Sequence, residues 1–455
     1  MAHLIKTKRG LDIKIEGKAK ETLGRTIHSD IVALVPDYFV GIVPKMLVKP
    51  GDAVKAGTPV FHDKTFADMN FVSPVSGTIV DIVRGERRKI LAVTIKRDAK
   101  TDYETFSVKS LAELSRDQIK ELMLAAGVWP FIKQRPYDIV ADPTKQPNSI
   151  FISGFDSSPL APDYDFILGG KEKELQCGID VLSKLTDGNV HLGLKAGNRS
   201  PLAELKNVQI TEYDGPHPVG NVGIQIHHTH PINKGDVYWT INIQNLLFIG
   251  RLFLNGTVDF SYTVALTGPD VNEDARRYYK TILGVSITPF IKSNVSVGIP
   301  LRYITGNVLT GMKLNEDEYL HPCASQITVI EEGSETHEIL GWAMPRFDKF
   351  SASNLFLTKI LGKLGLNNFK YDARILGGER PIIVSNEYDK VLPMDILPEF
   401  LIKAMITGNI DKMEALGAYE IAPEDLALCE FVCTSKLPIQ EITRKALDNL
   451  KSEVE

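Results

Sequence analysis

The segment from Val237 to Val271 constrains the fold most tightly. Its first part is apolar at Leu246, Leu247, Ile249, Leu252 and Phe253, a spacing that buries one face of a helix. Gln244 or Asn245 can start that helix. Gly256 can end it, because glycine accepts the left-handed backbone at a helix C-terminus. The second part, Ser261 to Gly268, is a β-branched and aromatic run stopped by Gly268-Pro269, the pattern of a strand and turn. A domain seam is therefore expected near Gly256, with an α/β unit before it and a small β-rich module after it.

At 455 residues the chain is too long for one ordinary domain, and three or four are expected. A net charge of −5 argues against a nucleic-acid binder, which needs a basic face. No apolar run approaches the length of a membrane span; Asn245 to Leu254 is interrupted by Arg251. Met1 to Gly17 mixes charged and aliphatic residues and lacks a signal-peptide core. A soluble, cytoplasmic chain is expected, with any membrane role coming from docking on a partner. Cys177, Cys323, Cys429 and Cys433 are too sparse for a disulfide framework.

Residues 1 to about 100 alternate short strands with Pro-Gly and Ser-Gly turns at Pro50-Gly51-Asp52 and Pro74 to Gly77. Leu111, Leu114, Ile119, Leu122 and Met123 predict a helix closed by Gly127. Ser149–Ser153, a helix over 174–185 and a strand over 189–194 predict a parallel βαβ unit. No Gly-x-Gly-x-x-Gly stands at a strand-to-helix turn, so a resident dinucleotide is not expected. His227, His228 and His230 follow the turn-rich loop from Tyr213 to Gly223. Were that run extended, His228 and His230 would share a face and His227 would oppose them. Hydrogen-bonded loop histidines are expected there rather than a metal, since the spacing specifies no further ligand. Residues 341 to 455 turn helical, with Pro398, Pro423 and Pro438 placed to open helices.

The phrases Ile241 to Gly256 (INIQNLLFIGRLFLNG) and Ser261 to Val271 (SYTVALTGPDV) resemble a pairing shared by the flavin-carrying subunit of respiratory complex I and the C subunit of Rnf electron-transfer complexes. With GWAMPRFDKFS at 341–351 and VLPMDILPEFL at 391–401, nearly the whole chain is similar to the A-subunit family of the sodium-translocating NADH:quinone oxidoreductase. The resemblance implies a multidomain α+β fold. Residues 1–100 would be a barrel-sandwich domain of the biotinyl/lipoyl kind, and 101–256 a Rossmann-like α/β domain. Residues 257–340 would be a β-grasp, soluble-ligand-binding domain, and 341–455 a helical C-terminal domain.

Lys64 is the nearest match to a carrier lysine, but its His62-Asp63-Lys64-Thr65 context departs from both carrier motifs, so modification is not expected. In the flavin-binding relatives the position of Val128 to Tyr137 holds a glycine-dense loop that wraps a phosphate. Here it is filled by Trp129, Pro130, Phe131 and Ile132, which argues against flavin. The Rnf relative carries cysteine clusters near its C-terminal end. Cys429 and Cys433 supply half the ligands of a four-iron cluster, so buried free thiols are expected instead.

The resemblance therefore implies a peripheral subunit on the cytoplasmic face of the bacterial inner membrane that binds no redox cofactor itself. NADH, flavins and iron–sulfur groups would sit on other subunits of a complex that reduces quinone and exports sodium. Partners would be the other subunits, above all the large quinone-site membrane subunit. Quinone-binding candidates are aromatics beside a donor or cation: Tyr38, Phe39, Trp129, Phe131, Lys133, Arg135 and His217. The competing readings are a member of a flavin or iron–sulfur dehydrogenase, or a lipoyl- or biotin-type carrier.

Overall fold

The computed structural model describes residues 3–334 and 369–454. The phrase at 341–351 lies outside the described residues.

At the centre is a seven-stranded sheet. Its order is His3–Lys6, Gln209–Asp214, Val190–Lys195, Ser149–Ser153, Tyr238–Ile241, Ile132–Arg135, Ile139–Val140. The first five strands are mutually parallel, and each of the last two is antiparallel to the strand before it. From Ser149–Ser153 the chain winds outward in one direction through Val190–Lys195 and Gln209–Asp214. It then returns to place Tyr238–Ile241 on the opposite flank. The reversal makes a switch point at the carboxyl ends of Ser149–Ser153 and Tyr238–Ile241, where crossovers on opposite faces leave a crevice. The predicted βαβ unit is present, its helix running Glu172–Ser183.

The helix of the organising segment runs Ile243–Asn255. It starts earlier than predicted. Asn242, not Gln244 or Asn245, is the cap: its side chain accepts from the Gln244 amide, and the preceding Tyr238–Ile241 is a strand. Gly256 ends it in the left-handed conformation (φ 67°), as predicted. The helix is buried nearly throughout rather than on one face. Against Glu172–Ser183 it packs backbone to backbone: a Cβ on Gly250 would stand 1.9 Å from the Glu174 carbonyl oxygen. Its polar residues face the next sheet. Gln244 Nε2 donates to the Thr263 carbonyl (2.9 Å) and to Ser325 Oγ (2.7 Å), and the Thr263 amide donates to Gln244 Oε1 (3.0 Å). Arg251 donates to the Ser261 carbonyl at 2.7 Å. One helix thus ties the α/β sheet to the β-grasp sheet.

That second sheet has the order Met312–Leu314, Leu301–Thr305, Gln326–Glu331, Ser261–Thr267, Arg277–Ile282, Lys20–Leu23. The short helix Thr288–Ile291 packs beside it. The barrel-sandwich core lies in two small sheets, one containing Gly77–Arg84 and Ile90–Arg97, the other Pro44–Met46, Pro59–Asp63 and Asn70–Val72. The first part of residues 1–100 also supplies strands to the other two sheets. His3–Lys6 is an edge strand of the α/β sheet and Lys20–Leu23 an edge strand of the β-grasp sheet. Lys64 is exposed on a turn held by Asp63, whose carboxylate accepts from Val43, Thr65 and Phe66 amides.

Two helical readings shift. Leu111 and Leu114 precede the first helix, Arg116–Ala125, because Ser115 and Gln118 form a capping box there. His227 and His228 lie on a helix, Val222–Thr229, with His230 at its end, so the extended alternation does not apply. The C-terminal helices Pro398–Ile406, Ala427–Val432 and Ile439–Val454 stand where the prolines predicted them. They bury Cys429 and Cys433 as free thiols.

Candidate functional site

A cavity of about 390 Å³ opens at the switch point. Three regions wall it. The α/β sheet gives Ser153 and Phe155 past one strand and Ile241 and Asn242 past the other. The β-grasp unit gives His321, Cys323 and Gln326, and the helical region gives Glu424 and Gln440.

Three of the seven sequence candidates line this cavity: Phe131, Lys133 and His217. The other four do not. Trp129 and Arg135 are fully buried. Trp129 donates its Nε1–H to the Ala141 carbonyl (2.8 Å) and meets Trp239 edge-on at 5.1 Å, so it is packing inside the chain. Phe39 is core, its ring 4.9 Å from Phe71 and 5.9 Å from Phe131. Tyr38 stands behind the wall: its hydroxyl donates to the Tyr319 carbonyl (2.8 Å) and its ring lies 4.9 Å from that of His321. The stretch from Trp129 to Arg135 is thus a wall and its foundation, not an exposed partner surface.

The wall is apolar at Phe131, Tyr164 and Ile241, and elsewhere carries polar atoms that are not all satisfied. His217 Nε2 and Gln326 Oε1 are buried without a hydrogen-bond partner. Such atoms cost of the order of 1–3 kcal/mol each when left unpaired. His217 is oriented by Ser157 Oγ, 3.0 Å from its Nδ1, and burial lowers its pKa to about 4. His321 accepts from the Cys323 amide at Nδ1 (3.1 Å); burial, then the nearby Lys133, lowers its pKa to about 3. Both imidazoles are neutral at pH 7. Burial raises the Cys323 thiol, which accepts from Asn245 Nδ2 at 3.2 Å.

The charged floor is a network. Arg135 bonds Asp425 and Glu424, each at 2.9 Å, and lies 3.8 Å from Asp138. Lys133 reaches Asp138 at 3.3 Å. Burial pushes the Asp138 carboxyl up, but Lys133, Arg135 and Arg444 outweigh it and hold its pKa below the ordinary value. Burial raises Glu424 to about 7 against the pull of Arg135, while its side chain keeps 39% of its exposure.

Tyr164, His321, Cys323, Glu424 and Gln440 were not anticipated. They come from segments far apart in sequence, and no local pattern marks them. Of the three histidines at 227–230, His227 pairs with Glu420 (2.7 Å), and no group of three or more side chains that could hold a metal occurs among the described residues.

Family models match three stretches: the NqrA N-terminal barrel-sandwich hybrid domain over 5–98, the NqrA second alpha/beta domain over 114–258 and the NQRA C-terminal domain over 263–316. The A subunit of the Na(+)-translocating NADH-quinone reductase of Glaesserella parasuis is 36% identical over 457 residues, covering 99% of this chain and 100% of that one. The chain belongs to the NqrA family, the A subunits of the Na(+)-translocating NADH-quinone reductase. The corresponding chain of the same reductase from Pasteurella multocida is 35% identical, again over 99% of this chain and 100% of its own length. A solved NAD+-reducing [NiFe]-hydrogenase aligns at TM-score 0.38 and 12% identity, over 74% of this chain and 61% of that chain, too weakly to bear on the site. As an NqrA, the chain is part of a multi-subunit enzyme of sodium transport and electron transfer between NADH and quinone. Among the described residues no helix is long and apolar enough to cross a membrane.

Proposed function

We propose that this NqrA receives a quinone headgroup in the switch-point cavity and holds no redox group of its own, docked on the cytoplasmic face of the membrane subunits. The observation that carries this reading is the buried, unpaired His217 Nε2, which can donate when Nδ1 accepts from Ser157 Oγ, in a wall that also presents Phe131 and Tyr164. A quinone ring needs apolar faces and polar contacts at its two carbonyls. The neutral imidazole of His217 offers such a contact without the cost of burying charge. Glu424 and Lys133 stand at the same cavity and suit the proton demand of quinone reduction.

The turn Trp129–Phe131 supports the absence of flavin. It is a proline-containing turn filled by large side chains, with Trp129 packed in the core and Phe131 walling the cavity, where a phosphate needs bare backbone amides. An absorption spectrum of the purified chain tests this part: a stoichiometric flavin or cluster band overturns it. A photoreactive quinone on the intact complex tests the cavity. Label is expected in peptides containing Phe131, His217 or Cys323. Label confined to other subunits overturns the reading and leaves this chain a role in assembly.

A further inference from the structure

The hairpin joining Gly77–Arg84 to Ile90–Arg97 ends in Arg84-Gly85-Glu86-Arg87-Arg88-Lys89. Four cations face one carboxylate there, in a chain whose net charge is −5. All of these residues are exposed apart from the partly covered Gly85. The turn is closed by the Lys89 amide donating to the Glu86 carbonyl (3.1 Å) and braced by Arg84 Nη1 on the Arg88 carbonyl (3.1 Å).

Arg87 and Arg88 occupy its two central positions with φ of 52° and 63°. Two consecutive positive φ values define the tight hairpin turn that favours Asn-Gly, and side-chain-bearing residues adopt them at a cost. The fold accepts that cost and gains two guanidinium groups at its outermost point. Apolar side chains flank them. Leu91 is 41% exposed and Val83 37% exposed, and Leu91 lies over Gly85, where an added Cβ would be 3.1 Å from it. Lys89 is paired with Asp37 at 2.6 Å, which ties the tip to the Pro36–Tyr38 turn and leaves Arg84, Arg87 and Arg88 as the outward cations.

A cationic tip with exposed aliphatic neighbours matches an interface that is anionic at its surface and apolar just beneath. An acidic protein face would satisfy the arginines but not Val83 and Leu91. We propose that the Arg84–Lys89 hairpin tip of this chain docks on the anionic phospholipid headgroups of the bilayer, Arg87 and Arg88 contacting phosphate while Leu91 and Val83 meet the acyl boundary. The protein then holds to the membrane directly as well as through its partners.

The test is co-sedimentation of the purified full chain with vesicles of phosphatidylglycerol and phosphatidylcholine, and with vesicles of phosphatidylcholine alone. Salt-sensitive binding to the anionic vesicles is expected. The double substitution Arg87→Asn, Arg88→Gly suits the turn better, so it should melt no lower than the parent. It should lose about thirty-fold in binding, which is about 2 kcal/mol for two cations. A single Leu91→Ser change should weaken binding without altering its salt dependence. Equal binding to both vesicle types overturns the proposal, as does parental binding by the double variant. So does a double variant that binds vesicles normally but fails to reassemble with the other subunits, which would assign the tip to an acidic protein face.

Discussion

Arg135 and Asp425, 290 residues apart in sequence, form a 2.9 Å ion pair in which both side chains are fully buried. The pair joins the strand under the cavity to the helical region above it. Asp425 also accepts from the Ala422 amide (2.9 Å), and Arg135 also holds Glu424. Removing one member leaves the other charged and without water. Arg135→Ala should therefore cost about 3–5 kcal/mol in denaturant unfolding. Arg135→Lys should recover little of it, because one ammonium cannot reproduce the fork that reaches two carboxylates.

Contact between the two buried helices sets a second prediction. A Cβ on Gly250 would overlap the Glu174 carbonyl, and one on Gly178 would lie 2.7 Å from Leu246 Cδ1. Gly250→Ala should destabilise by about 1–3 kcal/mol despite alanine's better helix propensity, since backbone cannot move aside as a side chain can. Urea unfolding of the variant checks it. A gain in stability would mean that the helices have room to part.

Acid should loosen the site before it loosens the sheets. His217 and His321 have folded pKa values near 4 and 3, depressed from the ordinary 6.5 by burial. Their contribution is complete above pH 6.5 and is lost as pH falls toward those folded values, because the unfolded chain takes up protons that the folded one refuses. Unfolding free energy should decline between pH 6.5 and 4. A His217→Asn variant should show a shallower decline over the same interval. An unchanged slope would mean that the imidazole is not held neutral.

The cysteines allow a footprint of the cavity. Cys323 lines it, Cys177 is half-buried elsewhere, and Cys429 and Cys433 are fully buried. Burial, then Asp180, raises the Cys177 thiol to about 11, and burial raises Cys323 as well, so both should label slowly at pH 7 and faster at pH 9. A water-soluble quinone analogue should slow labelling of Cys323 and leave Cys177 unchanged, read by peptide mass. Equal rates with and without the analogue would count against quinone in this cavity.

Much of the scaffold was legible from local pattern. Gly256 and the three late prolines marked helix ends because each acts through its own backbone. Asn242 was missed because it sits between Ile241 and Ile243, where an apolar run conceals the change from strand to helix. The helix bearing His227 spans only Val222–Thr229 and has a weak apolar stripe, so nothing local separated it from a loop. Phe131, Lys133 and His217 could be proposed by residue type. That Phe131 faces a cavity while Trp129, two residues before it, faces Trp239 follows from the turn Trp129–Phe131 and its packing, which single residues do not announce. Tyr164, His321 and Glu424 converge only once three regions have assembled.

The two N-terminal edge strands bear on how the polypeptide is made. His3–Lys6 and Lys20–Leu23 are synthesised well before their sheet neighbours Gln209–Asp214 and Arg277–Ile282, which lie more than two hundred residues later in the chain. These strands cannot pair until those partners have been made, and each then completes the edge of its sheet. A fusion placed ahead of His3 would burden that pairing step, whereas one placed after Val454 would not.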